Sequence, residues 1–307
     1  MTKRPISDIA ASVSQRLLNT SRQQTIAHEL VLRRYASERF LYRLSRSRHH
    51  ERFVLKGAML FSVWMKSGYR PTRDIDLLGS GADDGDSLKS AIGDVCEEPV
   101  PDDGLVFDRK SIQIEEIREG NAYSGLRAKF VARLGTARIP VQVDVGFGDA
   151  MCGGSEMIDY PALLDFPAAR LRAYPKESVI AEKLEAMISL GVANSRMKDF
   201  YDVWALSREF VFNGSTLADA IQMTFTRRNT GVPHSIPPAL SEEFANQRGK
   251  TAQWNGFLRR ADLATAGVTL PTVIGDLAVF LLPPLGALAD GVAFGKLWNP
   301  GGPWIDR

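Results

Sequence analysis

Asp74 and Asp76 flank a single isoleucine in "RPTRDIDLLGSG", with Leu77 and Leu78 behind them. Alternate residues of a β-strand share a face, so in a strand these two carboxylates project one way while Ile75 and Leu77 face the other. Downstream, "VQVDV" repeats the pattern, with Val141, Val143 and Val145 on one side and Gln142 and Asp144 on the other. If the two strands are neighbours, Asp74, Asp76 and Asp144 converge. Like charges that close raise one another's pKa unless a cation sits among them. An oxygen-only set without His or Cys suits Mg²⁺ or Mn²⁺. Two such ions about 3.5–4 Å apart are a common device for phosphoryl and nucleotidyl transfer. The alternative for Asp-x-Asp alone is a solvated strand end; the matching Asp144 strand favours the metal.

A second anomaly lies in "PKESVIAEKLEAMISLG". Placed on a helix at about 100° per residue, Lys183 falls inside the apolar face of Val179, Ile180, Met187 and Leu190. Either its stem packs while the ammonium reaches water, or it faces a cleft and meets phosphate as a point charge. The following "NSRMKDFYDVWALSREF" reads as a helix in which Asp199 lines up with the apolar residues Val203, Leu206 and Phe210. A buried acid needs a paired cation or hydrogen bonds, and Lys183 or Arg196 could supply them. Asp202 and Lys198 are four apart and read as a surface pair.

The elements that must position these residues follow from pattern. Residues 8–46 carry few Gly or Pro and read as helix. "VFDRKSIQIEEI", "LRAKFVARL" and "IPVQVDVGFG" alternate as an antiparallel run. From Pro175 onward the texture is helical, opened by Pro and closed by Gly191 in its first segment, and later broken by prolines. The expected class is α+β: a mixed-sheet core flanked by helices. The expected organisation is a helical arm (1–50), a sheet core (51–170) and a helical C-terminal half (171–307) that completes the cleft.

At 307 residues, 44% hydrophobic and 24% charged, the composition is that of an ordinary globular protein. The net charge of +2 hides eight arginines between Arg22 and Arg52 and, between Asp83 and Glu119, twelve acids against four bases. The arginine arm reads either as an RNA-facing surface or as a solvated helix face. In the first case Arg39, Arg43 and Arg46 share a helix face, and their removal lowers the salt dependence of RNA binding. Two cysteines, Cys96 and Cys152, make neither a disulfide framework nor a zinc pattern. The segment "VIGDLAVFLLPPLGALADGVAF" comes nearest to a membrane span but is interrupted by Asp276, Asp290 and two prolines. The expectation is a cytoplasmic protein with no membrane partner.

Four stretches together, "FVLKGAMLF" with "RPTRDIDLL", "VQVDVGFGD", "VIAEKLEAMISLG" and "NSRMKDFYDVW", resemble the AbiEii family of nucleotidyltransferase toxins, which includes the MenT proteins. The resemblance implies a DNA polymerase β-like nucleotidyltransferase core. It makes Asp74 and Asp76 the metal ligands, with Asp144 as the third acidic position and Lys183 and Asp199 as further catalytic residues. It places nucleotide contacts at Lys56, Gly57, Thr72, Lys183, Arg196 and Lys198. The wider superfamily has Gly-Gly or Gly-Ser where this chain has Gly57–Ala58, which leaves phosphate contact to backbone amides. The implied cofactor is Mg²⁺ or Mn²⁺, the co-substrate a nucleoside triphosphate, the acceptor RNA at the tRNA 3′ end, and the partner a cognate antitoxin. Small-molecule or protein-side-chain acceptors, and an inactive nucleotide-binding homologue, are the rival readings.

Overall fold

The alternation in the first half of the chain becomes a seven-stranded mixed sheet. A computed structural model describes residues 8–65, 72–119, 123–263 and 267–306. It divides into two compact units, Met1–Gly148 with Ser155–Ala173, and Asp149–Gly154 with Tyr174–Arg307. In the first unit the strands are β1 (Phe53–Lys56), β2 (Asp74–Gly79), β3 (Leu105–Glu119), β4 (Tyr123–Leu134), β5 (Ala137–Phe147), β6 (Glu156–Tyr160) and β7 (Ala169–Ala173). Their order is β3-β4-β5-β2-β1-β7-β6. The expected antiparallel run is β3–β4–β5, and β2 lies parallel to β5, so the Asp-x-Asp strand and the Asp144 strand are neighbours. Ile139, Val141, Val143 and Val145 are buried on one face of β5, as are Leu126, Ala128, Phe130 and Ala132 on β4. That face is covered by helices. Of α1 (Ile9–Gln24), α2 (His28–Arg46), α3 (Phe61–Trp64) and α4 (Gly85–Cys96), α2 packs on β5 and β7 and α4 on β3 and β4. Phe40 of α2 meets Phe107 and Phe130 with ring centroids 5.9 and 5.2 Å apart. The opposite sheet face carries the charged residues.

Two of the arm's arginines, Arg39 and Arg43, face neither RNA nor solvent. Arg39 is 1% exposed and Arg43 is 5% exposed. Arg43 grips Asp103 through two hydrogen bonds of 2.7 and 3.0 Å. Arg39 places its Nε 3.4 Å from the same carboxylate and donates twice to the Pro167 carbonyl. Tyr35 adds a hydroxyl bond to the Asp103 carbonyl at 2.7 Å. Arg33 pairs with Glu29 on its own helix, Arg48 and His49 meet Asp94, and Arg52 donates to the carbonyls of Ser80 and Ala82. Within this set Arg22, Arg46 and Arg48 remain exposed. Of the face that Arg39, Arg43 and Arg46 share by helical spacing, Arg39 and Arg43 turn inward to Asp103 on the loop before β3, while Arg46 stays exposed.

The second unit comprises α5 (Lys176–Leu190), α6 (Met197–Glu209), α7 (Gly214–Arg228), α8 (Glu242–Asn246), α9 (Arg248–Arg260) and α10 (Leu270–Ala289). A small sheet joins β8 (Phe212–Asn213), β9 (Leu297–Trp298) and β10 (Trp304–Ile305) in the order β10-β9-β8. The prolines expected to break the last long segment do not: α10 runs through Pro283 and Pro284. Proline in a helix orphans the carbonyl four residues earlier. For Pro284 that is the Phe280 carbonyl, and the Trp304 indole donates to it at 2.9 Å. Phe280 also sits among Phe212, Trp298 and Trp304, its ring 4.7 to 5.7 Å from theirs. Helix α10 is long and apolar enough to cross a membrane by length and composition, with mean hydropathy 1.8 and 39% of its apolar window buried. It packs against α6, α7 and α8.

Removing one partner of a buried ion pair typically costs about 3–5 kcal/mol. Asp103→Ala, which strips two buried guanidiniums of their shared carboxylate, is therefore expected to lower the urea midpoint substantially at unchanged m-value. An unfolding midpoint within error of wild type would show that the cluster does not fix α2 to the sheet.

Candidate active site

Strand register turns scattered charges into a row. Lys56 of β1 is opposite Asp76 of β2, Asp76 is opposite Asp144 of β5, Asp144 is opposite Arg127 of β4, and Arg127 is opposite Glu115 of β3. Partners in register share a sheet face, and neighbouring strands lie about 4.8 Å apart. Five adjacent strands thus carry the sequence of charges plus, minus, minus, plus, minus. A second row, two residues along, holds Asp74, Gln142 and Lys129. Asp144 is saturated: Arg127 reaches its two oxygens at 2.8 and 2.7 Å, and the Gln142 amide lies 3.2 and 3.3 Å from them. Lys129 takes Glu115 at 2.7 and 2.9 Å. The hydrogen bond to Asp144 raises the Arg127 pKa above its ordinary value; burial works the other way, and the charges of Asp144, Asp74 and Glu115 add to the rise. Sequence reading missed Arg127, because a cross-strand partner is named only by register.

The Lys56–Gly57 turn is part of the same site. Gly57 has φ +73°, and a Cβ built there would lie 2.1 Å from Asp76 Oδ2. The backbone of the turn is therefore seated on the carboxylate, and glycine is required both for the left-handed conformation and for the space. The Thr72 hydroxyl is 3.5 Å from the Asp74 carbonyl, just ahead of β2. The oxygen donors of Asp74 and Asp76 on one face suit a hard divalent cation. Asp144 reaches that face already occupied by Arg127. Among the described residues no group of three or more His, Cys, Asp or Glu is arranged to hold a metal ion.

In the second unit, Lys183 neither snorkels nor stands alone. Its ammonium lies 2.6 Å from Asp199 Oδ1 and 2.9 Å from Asp202 Oδ2, and Arg196 Nε is 2.7 Å from Asp199 Oδ2. Asp202 is not the surface partner of Lys198 that spacing suggested. It is fully buried, one helical turn from Asp199 on the same face, while Lys198 is exposed. The i, i+3 spacing of the two aspartates was the signal that could have found it. Of the apolar face around Lys183, Val179, Ile180 and Met187 are buried and Leu190 is exposed. Burial alone would push Asp199 upward, but Lys183 and Arg196 beside it hold its carboxyl at about 2. Another face of α5 is fixed by Glu185, which accepts from Arg228 and from Thr230, both at 2.8 Å.

The α5–α6 connection that aims Arg196 has its own anchor. Asn194, 1% exposed, accepts the Arg196 backbone N–H on its side-chain oxygen at 2.8 Å. Its main-chain carbonyl accepts from Lys250 Nζ of α9 at 2.7 Å. Lys250 is buried, and its ammonium lies 4.8 Å from the Phe244 ring centroid. Phe244 in turn stacks on Phe200, the neighbour of Asp199.

The model of a family described as nucleotidyl transferase AbiEii toxin, of type IV toxin–antitoxin systems, matches residues 39–268. The chain belongs to this family. It is accordingly a nucleotidyltransferase, and its recognition motifs lie in both units. Two Helicobacter pylori crystal structures are similar over most of their length. One is JHP933; the other is a protein provisionally assigned as a nucleotidyltransferase. Each is 13% identical with a TM-score of 0.48, each is matched by 86% of this chain, and the match covers 91% and 95% of the respective H. pylori chains. Among curated proteins none matches.

Two outcomes follow for this AbiEii-family enzyme. Gly57→Ala adds a methyl where the Asp76 carboxylate stands and strains a left-handed residue. Nucleotidyl transfer is expected to fall by roughly a hundredfold, about 3 kcal/mol in transition-state terms, with far-UV circular dichroism unchanged. Transfer at the wild-type rate would mean that the turn does not set Asp76. The second concerns acid. Asp199 is held below its ordinary value of 3.8, so it contributes stability above about pH 4 that is lost as pH falls towards about 2. The contribution is about 2 kcal/mol. Asp199→Asn should flatten the pH 4-to-2 limb of stability, and an unaltered limb would place acid sensitivity elsewhere.

Proposed function

We propose that this enzyme transfers a nucleoside monophosphate from a nucleoside triphosphate to the 3′ end of an RNA, tRNA by family resemblance, with Mg²⁺ or Mn²⁺ held by Asp74 and Asp76. The observation that carries the reading is the placement of both carboxylates on one sheet face with the Gly57 backbone seated against Asp76. In the reaction an acceptor hydroxyl attacks the α-phosphorus and loses its proton to water, a new P–O bond forms, the bond from the α-phosphorus to the bridging oxygen breaks, and pyrophosphate leaves with that electron pair. The divalent ions, when bound, neutralise the triphosphate and stabilise the charge that develops. Asp74 and Asp76 hold the ions, and the backbone amides after Lys56 offer hydrogen bonds to phosphate oxygens. Lys56 and Thr72 flank the same turn and strand. Lys183 and Arg196 are cations for phosphate whose geometry is set by Asp199, and Lys198 stands exposed beside them. Asp144 is the third acid of the set.

RNA as the acceptor rests on the resemblance, since Arg39 and Arg43 are committed to Asp103 and are not offered to a phosphate backbone. The family implies an antitoxin that restrains the enzyme, and a cytoplasmic setting without a membrane partner goes with that role. The test is incorporation of each α-labelled nucleoside triphosphate into total RNA, with Mg²⁺, Mn²⁺ or chelator. Label in tRNA that depends on the metal supports the reading. Label appearing only in protein or in small molecules replaces the acceptor, and no label with any acceptor removes the proposed reaction. Loss of a ligand that contributes several kcal/mol of charge stabilisation slows transfer by roughly 10²–10³-fold. Asp76→Asn should show that loss while folding normally, and a near-normal rate would exclude Asp76 from the metal site.

A further inference from the structure

Among the described residues Arg127 is the cation that grips the third carboxylate, and the charges of Asp144, Asp74 and Glu115 all act on it. Across the sheet on one side is Glu115, which Lys129 already grips at 2.7 Å. On the other is Asp144, whose two oxygens take the guanidinium fork at 2.8 and 2.7 Å and the Gln142 amide besides. Asp144 is in register with Asp76 on the adjacent strand, close enough in principle to join a shared ion. Arg127, on the far side of Asp144 from Asp76, already holds both oxygens of that carboxylate. A divalent cation arriving alone must displace a bidentate, charge-assisted pair and then settle beside a fixed positive charge. A triphosphate changes the balance, because its oxygens match the same guanidinium fork and bring negative charge to it.

We propose that Arg127 is a positioning residue that withholds Asp144 from the metal site in the free enzyme and releases it when a nucleoside triphosphate supplies Arg127 with a new partner. The inference rests on the metal-dependent reading above and adds an order of events to it. Asp74 and Asp76 alone make a weak cation site; the nucleotide and the ions enter together, and Asp144 completes the ligand set only then. The exchange is of ion-pair partners, and no covalent bond is involved.

The test is Mn²⁺ binding followed by the electron paramagnetic resonance signal of the free ion, on full-length protein with and without an α,β-methylene nucleoside triphosphate. Wild type should bind Mn²⁺ weakly alone and more tightly with nucleotide. Because affinity follows the number of charged ligands, Arg127→Met should tighten Mn²⁺ binding without nucleotide by about tenfold. Arg127→Met with Asp144→Asn should return it to the wild-type value. Unchanged or weaker binding by Arg127→Met, or a gain that survives Asp144→Asn, overturns the proposal and leaves Arg127 as a structural cross-strand pair. Arg127→Gln, which keeps a hydrogen-bonding side chain without the charge, serves where thermal unfolding in chelator shows that the methionine variant is not folded. The same outcomes apply to it. Wild type that binds no Mn²⁺ even with nucleotide overturns the metal reading itself. Binding that Asp76→Asn abolishes but Arg127→Met does not alter overturns only the role of Arg127.

Discussion

Carboxylates on neighbouring strands repel, and the architecture of the first unit is organised around that fact. Asp76 and Asp144 occupy register-matched positions of parallel strands, with Asp74 two residues away on the same face. Such an arrangement is stable when positive charge is built in beside it. The sheet supplies it by cross-strand pairing, with Lys56 on one flank and Arg127 on the other. The apolar face behind, formed by the buried valines of β5 and the side chains of β4, and covered by α2 and α4, keeps those strands in the one register that aligns the row. A shift of one residue would turn the acids into the core. Packing on one side therefore dictates electrostatics on the other.

The same chain also buries charge in clusters that hold its helices. Arg39 and Arg43 close on Asp103, Lys183 and Arg196 on Asp199 with Asp202, and Arg228 on Glu185 near Asp149 and Glu182. Each joins a helix to an element distant in sequence or to the next helix, and each contains a carboxylate that is buried. Buried charge is tolerated where opposite charges and hydrogen bonds replace water. One of these clusters contains the lysine and aspartate that the resemblance makes catalytic, the Arg228 cluster draws Asp149, Glu182 and Glu185 from the same motif stretches, and the Asp103 cluster lies outside them. Burial of a charged residue in this protein thus marks structure as well as chemistry.

Period and spacing made a good part of this visible. The Asp74/Asp76 face, the neighbouring Asp144 strand, the β3–β4–β5 run and the unusual apolar setting of Lys183 are local patterns, and local patterns are what a sequence displays. The inward turn of Arg39 and Arg43 was hidden because it depends on Asp103, some sixty residues on, and a helix wheel cannot say which way a polar face looks. Asp202 was misplaced because its spacing to Lys198 fits a surface pair as well as its spacing to Asp199 fits a shared buried face. Arg127 was invisible until β4 and β5 were aligned. The persistence of α10 through two prolines needed the indole of Trp304, supplied by a segment with no helical relation to it.

The anchor of the α5–α6 corner has a consequence for how the protein comes into being. Asn194 is held by Lys250, 56 positions later in the chain. On the ribosome the corner is made long before the side chain that fastens it has been polymerised, and that side chain must then clear the exit tunnel. The segment presenting Arg196 and Asp199 thus acquires its final geometry only after Lys250 has emerged. A toxin assembled in this order keeps that corner unfastened until its ninth helix has been made.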